Sequence, residues 1–168
     1  MNKTLIVVDM QKDFIDGALG TKEAQAIVPA VIEKIRLRKE QGWQILYTRD
    51  THTPDYLNTP EGKKLPVPHC IKDTEGWAIP SEIYVEGCEC IDKPTFGFTG
   101  WSDYAFDRIE LIGLCTDICV VSNALLLKAL FPYAEISVDP QCCAGVTPES
   151  HEAALKTMAM CQIDMTSL

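Results

Sequence analysis

Apolar residues fall along this chain in two rhythms, short unbroken runs and longer stretches at helical spacing, and the two alternate almost from end to end. Lys3 to Val8 (KTLIVV) is a continuous apolar run of strand length, the pattern of a strand buried on both faces. Glu23 to Gln41 carries Ile27, Val31, Ile32, Ile35 and Leu37 largely at helical spacing, and Gly42 closes it. Further strands are expected over Gln44 to Thr48, weakly over Glu89 to Asp92, then over Ile109 to Leu114, Glu135 to Val138 and Ile163 to Met165. The intervening helices are a short one near Ser102 to Arg108, a long one opened by Thr116 and Asp117 that runs to Ala129, and one from Pro148 to about Cys161. Such alternation predicts an α/β fold with a parallel sheet. There is no internal repeat, low-complexity tract or linker. Residues 1–168 are therefore read as one domain, a Rossmann-like three-layer sandwich. Its sheet is expected to have six mostly parallel strands in the order 3-2-1-4-5-6, with helices on both faces.

One stretch breaks the rhythm. Arg49 to Pro80 is long and irregular, with prolines at positions 54, 60, 66, 68 and 80. A loop of that length inside a compact domain is usually functional or disordered, and this one carries too many aromatic and histidine residues for disorder. At 168 residues, 46% hydrophobic and 23% charged, the chain is large enough to bury a core without staples. Its net charge of −9 argues against nucleic acid or an anionic membrane surface as the main partner. Asp9 interrupts the first apolar run, so no secretory signal is expected, and no apolar stretch is long enough to span a membrane. Eight cysteines are present, but Cys88-Glu-Cys90 and Cys142-Cys143 are too close for the usual disulfide framework, and no CxxC pair suggests a zinc knuckle. Reduced thiols in a cytoplasmic protein are the simplest account; assembly into a homo-oligomer is left open.

Ligands of such a sheet bind beyond the carboxyl ends of its strands, where strand order reverses. Asp9 follows the first strand, Asp50 the second, Lys93 the third and Cys119 the fourth. With Thr116 as N-cap, Cys119 is the third helical residue, where free backbone N–H groups and the helix dipole favour a thiolate. A carboxylate can take the thiol proton and an ammonium can hold the resulting anion, so Asp9, Lys93 and Cys119 form a chemically sensible trio. Each also has a plainer role open to it: a turn aspartate, a solvated lysine, a buried apolar cysteine. In the long loop Asp50 and His52 lie two apart and point the same way on an extended backbone, with Glu61 and His69 further on. Imidazole with carboxylate suits Zn²⁺, Mn²⁺ or Fe²⁺. Two loop histidines with structural hydrogen bonds are the alternative. His151, in the first turn of the last long helix, is assigned no chemistry.

These motifs together resemble the isochorismatase-like cysteine hydrolases, and within them the nicotinamidases (pyrazinamidases). The resemblance rests on Val8-Asp9-Met10-Gln11-Lys12-Asp13-Phe14, Thr48-Arg49-Asp50-Thr51-His52 and Leu65-Pro66-Val67-Pro68-His69-Cys70. It continues through Asp92-Lys93-Pro94, Gly113-Leu114-Cys115-Thr116-Asp117-Ile118-Cys119-Val120 and Cys142-Cys143-Ala144-Gly145. It implies Asp9, Lys93 and Cys119 as a catalytic triad that hydrolyses an amide through a thioester. It also implies a cis peptide at Leu114–Cys115, an oxyanion hole from the N–H groups of Cys115 and Cys119, and one divalent metal ion with no organic cofactor. The ligands would be Asp50, His52, Glu61 and His69. A further histidine that some nicotinamidases carry shortly after the D-x-H is replaced here by Pro54, Asp55 and Tyr56, and Glu61 fits the variant that uses a glutamate. Phe14 would pack against the substrate ring, with Phe96, Phe98 and Trp101 as candidates for the opposite wall, Phe98 and Trp101 foremost. The implied reaction is conversion of nicotinamide to nicotinate and ammonia, a step of NAD salvage. Hydrolysis of another small amide or carbamoyl compound is the alternative within the family. An isochorismatase proper does not need the cysteine, and a small-molecule-binding or redox-sensing module is the reading from another class.

Overall fold

The structure, a computed structural model, describes residues 1–167. Its elements run β1 (Lys3–Val8), α1 (Lys12–Ile15), α2 (Lys22–Glu40), β2 (Gln44–Asp50), α3 (Pro60–Lys64), β3 (Glu89–Lys93), β4 (Arg108–Leu114), α4 (Val121–Leu130), β5 (Glu135–Ala144), α5 (Pro148–Met160) and β6 (Asp164–Met165). The described strands form a six-stranded sheet in the order β3-β2-β1-β4-β5-β6, and each neighbouring pair is parallel. The expected order and layering hold. Because successive strand residues point to opposite faces, Leu5 and Val7 join Val31 and Ile35 of α2 in one core, while Ile6 and Val8 join Ala124 and Leu127 of α4 and Leu155 and Met158 of α5 in the other. Both faces of β1 are thus sealed, which is why its sequence is an unbroken apolar run. Among the described residues no helix is long and apolar enough to cross a membrane.

Three local expectations are corrected. The helix predicted near Ser102 to Arg108 is a 3-10 turn over Thr99–Asp103, after which Tyr104 and Phe106 run without helix into β4. The reason is visible in the burial: Tyr104, Phe106 and Arg108 are half-buried while Ala105 and Asp107 are exposed, the alternation of an extended backbone. The fifth strand does not stop at Val138 but continues through Asp139-Pro140 to Ala144. Proline is tolerated because the β4–β5 register slips between Leu111 and Gly113, and Leu111 pairs with Val138 whereas Gly113 pairs with Cys143. The helix after β4 begins one residue earlier than expected. Its first turn, Thr116–Val120, is π-helical and its N-cap position is Cys115. The Thr116 hydroxyl instead bonds His151 Nδ1 of α5 at 2.7 Å.

Two backbone features bring the strand ends together. Gly113 pairs with Val8 at φ 119°, and a Cβ there would come within 2.2 Å of the Val8 carbonyl oxygen. No side chain fits, so β1 and β4 can approach closely where their carboxyl ends meet. Gly113→Ala is expected to cost about 3 kcal/mol, from the sum of left-handed strain and overpacking, readable as a lower urea midpoint. Asp9 itself adopts φ 48° and Cys70, after His69, φ 47°. Such left-handed non-glycine residues persist only where their surroundings over-determine them, and they concentrate at functional sites.

Candidate active site

Four strands deliver one group each to the same spot. Asp9 leaves β1, Asp50 ends β2, Lys93 ends β3, and Cys119 sits in the helical turn after β4. Asp9 and Lys93 are fully buried and Cys119 is nearly so. Lys93 Nζ donates to Asp9 Oδ2 at 2.6 Å, to the Thr95 carbonyl at 3.1 Å and to Cys119 Sγ at 3.5 Å. The other oxygen of Asp9, Oδ1, accepts the Thr48 hydroxyl at 2.7 Å. Lysine is almost never buried without partners, and this one has three. The Leu114–Cys115 peptide is cis.

Burial raises the Asp9 carboxyl, with Lys93 opposing and the Asp50 charge reinforcing the rise. Burial and the Asp9 charge also push the Cys119 thiol well up, against the pull of Lys93. Burial beside a carboxylate thus works against the thiolate that the helical position favours. A thiol beside a carboxylate whose basicity is enhanced is an arrangement suited to proton transfer during attack.

The loop groups converge as the spacing suggested. One donor atom from each of Asp50, His52, Glu61 and His69 lies within 4.8 Å of every other. Asp50 Oδ2 is 2.9 Å from His52 Nε2 and 3.4 Å from His69 Nε2, and Glu61 Oε1 is 3.7 Å from both imidazoles. His69 Nδ1 donates to the Val67 carbonyl at 2.8 Å, which leaves Nε2 as the lone-pair nitrogen facing the cluster in the neutral ring. Asp50 Oδ1 is buried with no hydrogen-bond partner in the protein. An orphaned carboxylate oxygen among two imidazoles and a second carboxylate is the donor set of a first-row divalent cation. Burial would raise the Asp50 carboxyl, but the His52 and His69 hydrogen bonds outweigh it and hold it at about 2.

Comparison with known proteins places this geometry. The isochorismatase domain family matches residues 3–168. This chain belongs to the isochorismatase family. Its structure is similar to that of the pyrazinamidase of Pyrococcus horikoshii in complex with zinc, at 30% identity and a TM-score of 0.85 over 100% of both chains. It is also similar to the N-carbamoylsarcosine amidase of Thermoplasma acidophilum, at 27% identity and a TM-score of 0.78 over 99% of this chain and 95% of that one. In sequence it is 28% identical to nicotinamidase 1 of Arabidopsis thaliana, over 89% of this chain and 72% of that protein.

In this isochorismatase domain Cys119, Asp50, Glu61 and His69 line one cavity, whose walls include Phe14, Leu19, Leu65 and Phe96. Phe14, which the family resemblance placed near the substrate, lines this cavity. Trp101 is not: it is fully buried, its indole N–H donates to Asn123 Oδ1 at 3.0 Å, and it lies beneath α4. Phe98 packs edge-on against Trp101 at 5.0 Å and joins the same core. Both corrections have one cause. The chain from Lys93 to β4 turns inward at the 3-10 turn, so Phe96 meets the cavity and the later aromatics fill the sheet-to-helix layer.

Several residues that hold the isochorismatase site were not singled out from sequence. Gln11 clamps the metal-side strand, accepting the Asp50 N–H at 2.7 Å and donating to the carbonyls of Asp50 at 2.8 Å and Trp77 at 2.9 Å. Asp13 accepts the Cys70 N–H at 2.8 Å and so anchors the His69 loop. Both lie in the motif after Asp9, which was the available signal. Asn123, one turn beyond Cys119, accepts the Phe98 N–H at 2.9 Å and donates to the carbonyls of Phe96 at 3.1 Å and Cys119 at 2.8 Å. Tyr56 is buried edge-on against both His52 and His69. A polar residue at i+4 from the nucleophile was the only hint of Asn123, and the signal for Tyr56 was its place where some relatives carry a further histidine.

Proposed function

We propose that this protein is a cysteine-dependent, metal-containing amidase that converts nicotinamide to nicotinate and ammonia. The observation that carries the reading is that the Cys119 sulfur and the cluster of Asp50, Glu61 and His69 line the same cavity, with Asp9 and Lys93 directly behind the sulfur. The nicotinamidase and zinc-bound pyrazinamidase relatives support it.

The residues suggest a sequence of proton movements. Asp9 takes the proton from Cys119 as the sulfur attacks the amide carbon, and Lys93 offsets the negative charge that collects behind the reaction. The N–H groups of Cys115 and Cys119 are assigned to the oxyanion of the tetrahedral intermediate. Asp9 returns the proton to the leaving nitrogen, ammonia departs, and a thioester remains. Water then gives a proton to Asp9 and attacks the thioester carbon, releasing the acid and restoring the thiol. Asp50, His52, Glu61 and His69 would hold one divalent ion (zinc, manganese or iron), which supplies a Lewis acid that anchors the ring nitrogen.

The direct test is ammonia release from nicotinamide by purified protein, with metal content measured on the same sample. Turnover of roughly 1 s⁻¹ or more, ordinary for an enzyme, with about one ion per chain is the expected result. Absence of turnover would overturn the substrate. The variant Asp50→Ala/His52→Ala is expected to lose the bound ion and to raise KM for nicotinamide by about tenfold or more. Unaltered metal content in that variant would end the ligand assignment.

A second reading, hydrolysis of another small amide or carbamoyl compound by the same trio, is supported by the likeness to the carbamoylsarcosine amidase.

A further inference from the structure

The reaction cavity does not stand alone. A second chamber of about 300 Å³ lies against it. Phe14, Leu19, Leu65, Cys115 and Ile118 line both, so the two share a wall. Beyond that wall the chamber extends to Ala24 of α2, Leu114 at the end of β4 and Val146 in the turn between β5 and α5. Asp50, Glu61 and His69 of the candidate metal cluster line the reaction cavity and not the chamber.

The chemistry of the chamber is one-sided. Its only polar side chains are Thr21 and Cys115. The Thr21 hydroxyl is already engaged as the N-cap of α2, accepting the Ala24 N–H at 3.0 Å. Cys115 is a weak donor at best. A charged or strongly polar group entering here would lose its water and gain no partner, whereas an apolar group loses nothing. Size points the same way, since a cavity of about 150 Å³ is enough for a benzene ring. The chamber, at about 300 Å³, has room for such a ring in addition to what the reaction cavity holds.

We propose that the chamber is a subsite for an apolar extension of the acyl group, so that the preferred substrates are primary amides whose acyl part extends beyond the reacting carboxamide as alkyl or aryl surface. The inference rests on the amidase reading for its chemistry but not for its binding. The carboxamide would sit at Cys119, and the acyl chain would pass the shared wall between Phe14 and Ile118 toward Val146.

The test uses straight-chain primary amides from propanamide to hexanamide. Binding to Cys119→Ala is followed by ligand-observed NMR titration, and kcat/KM by ammonia release from the native enzyme. Burial of one methylene strengthens binding by about fourfold, so Kd is expected to fall and kcat/KM to rise by that factor per added carbon. Val146 is half exposed on the chamber rim, and its replacement leaves the sheet and helices untouched. Val146→Trp, placed on the Cys119→Ala background for binding and on the native enzyme for turnover, is expected to flatten both dependences. A Kd that does not change with chain length, or an unaltered slope in the Val146→Trp protein, overturns the subsite. Improved binding along the series without ammonia release from any amide would keep the subsite and reject the amidase reading.

Discussion

Cys119→Ala is expected to lower ammonia release from nicotinamide by about 10⁴-fold or more, the scale of losing a covalent nucleophile that acts as a unit with its base. The substitution removes only a sulfur atom from a cavity wall, so folding should survive and the bound ion should remain. Native metal content with lost turnover is therefore the informative combination. A binding or redox-sensing module would instead keep its ligand affinity and show no turnover in either form. On the proposed mechanism the acid limb of kcat/KM is expected to belong to Asp9, which must be ionised to accept the thiol proton. Burial raises that carboxyl above its usual 3.8, so activity should fall on acidification at a pH above the ordinary carboxylate range. An acid limb at or below pH 3.8 would assign the base elsewhere.

Lys93→Met is expected to damage the fold as well as the chemistry. Asp9 is fully buried, and the methionine would leave its carboxylate without its ammonium partner at 2.6 Å. Breaking one side of a buried ion pair costs about 3–5 kcal/mol, because the surviving charge has no water and no counterion. The pH dependence has a definite sign. A carboxyl with a folded pKa raised above its unfolded value binds its proton more tightly in the folded state, so its contribution to stability is present at low pH and lost as pH rises through the folded pKa. Without Lys93 the Asp9 carboxyl rises further, and the stability deficit of the variant should widen from acidic to neutral pH. Urea denaturation at several pH values reads this directly. Adding Asp9→Asn should restore much of the stability and none of the turnover, since the stranded charge is gone but so is the base. A deficit independent of pH would show that Lys93 acts through packing alone.

Lys93 also shows why composition does not identify a site. The molecule holds a second trio of the same residue types, in which Lys34 Nζ meets Asp139 Oδ2 at 2.7 Å and Cys142 Sγ lies 3.6 Å from that oxygen. Lys34 is bonded to Glu110 as well, at 2.9 Å, and Glu110 takes Arg38 and Thr166. All of Lys34, Glu110, Asp139 and Cys142 are 0–1% exposed and tie α2 to β4 and β5. That cluster has its charges balanced among themselves deep in the core, where it serves the fold. The Asp9–Lys93–Cys119 trio differs in one respect that matters, a sulfur that opens on a cavity.

Most of the fold was legible in local pattern. Unbroken apolar runs set the buried strands, helical spacing set α2, α4 and α5, and the alternation of the two set a parallel sheet of six strands. Polar residues at strand ends then had to gather at one edge, because parallel strands all end on the same side; this is why Asp9, Asp50, Lys93 and Cys119 could be named in advance. The nearness of Asp50 and His52 was legible from their two-residue spacing on extended chain, whereas Glu61 and His69 were assigned as ligands only through the family resemblance. Tertiary structure alone decided the rest. Whether Phe96 or Trp101 faces the cavity depends on where the chain turns inward, and aromatic content is equal in both places. The continuation of β5 through Pro140 depends on a register slip made with β4. The upward push on the Cys119 thiol comes from burial and from the Asp9 carboxylate, a partner from a distant part of the chain. In each case the deciding energy is desolvation or packing against residues far away in the chain, and no local pattern carries that information.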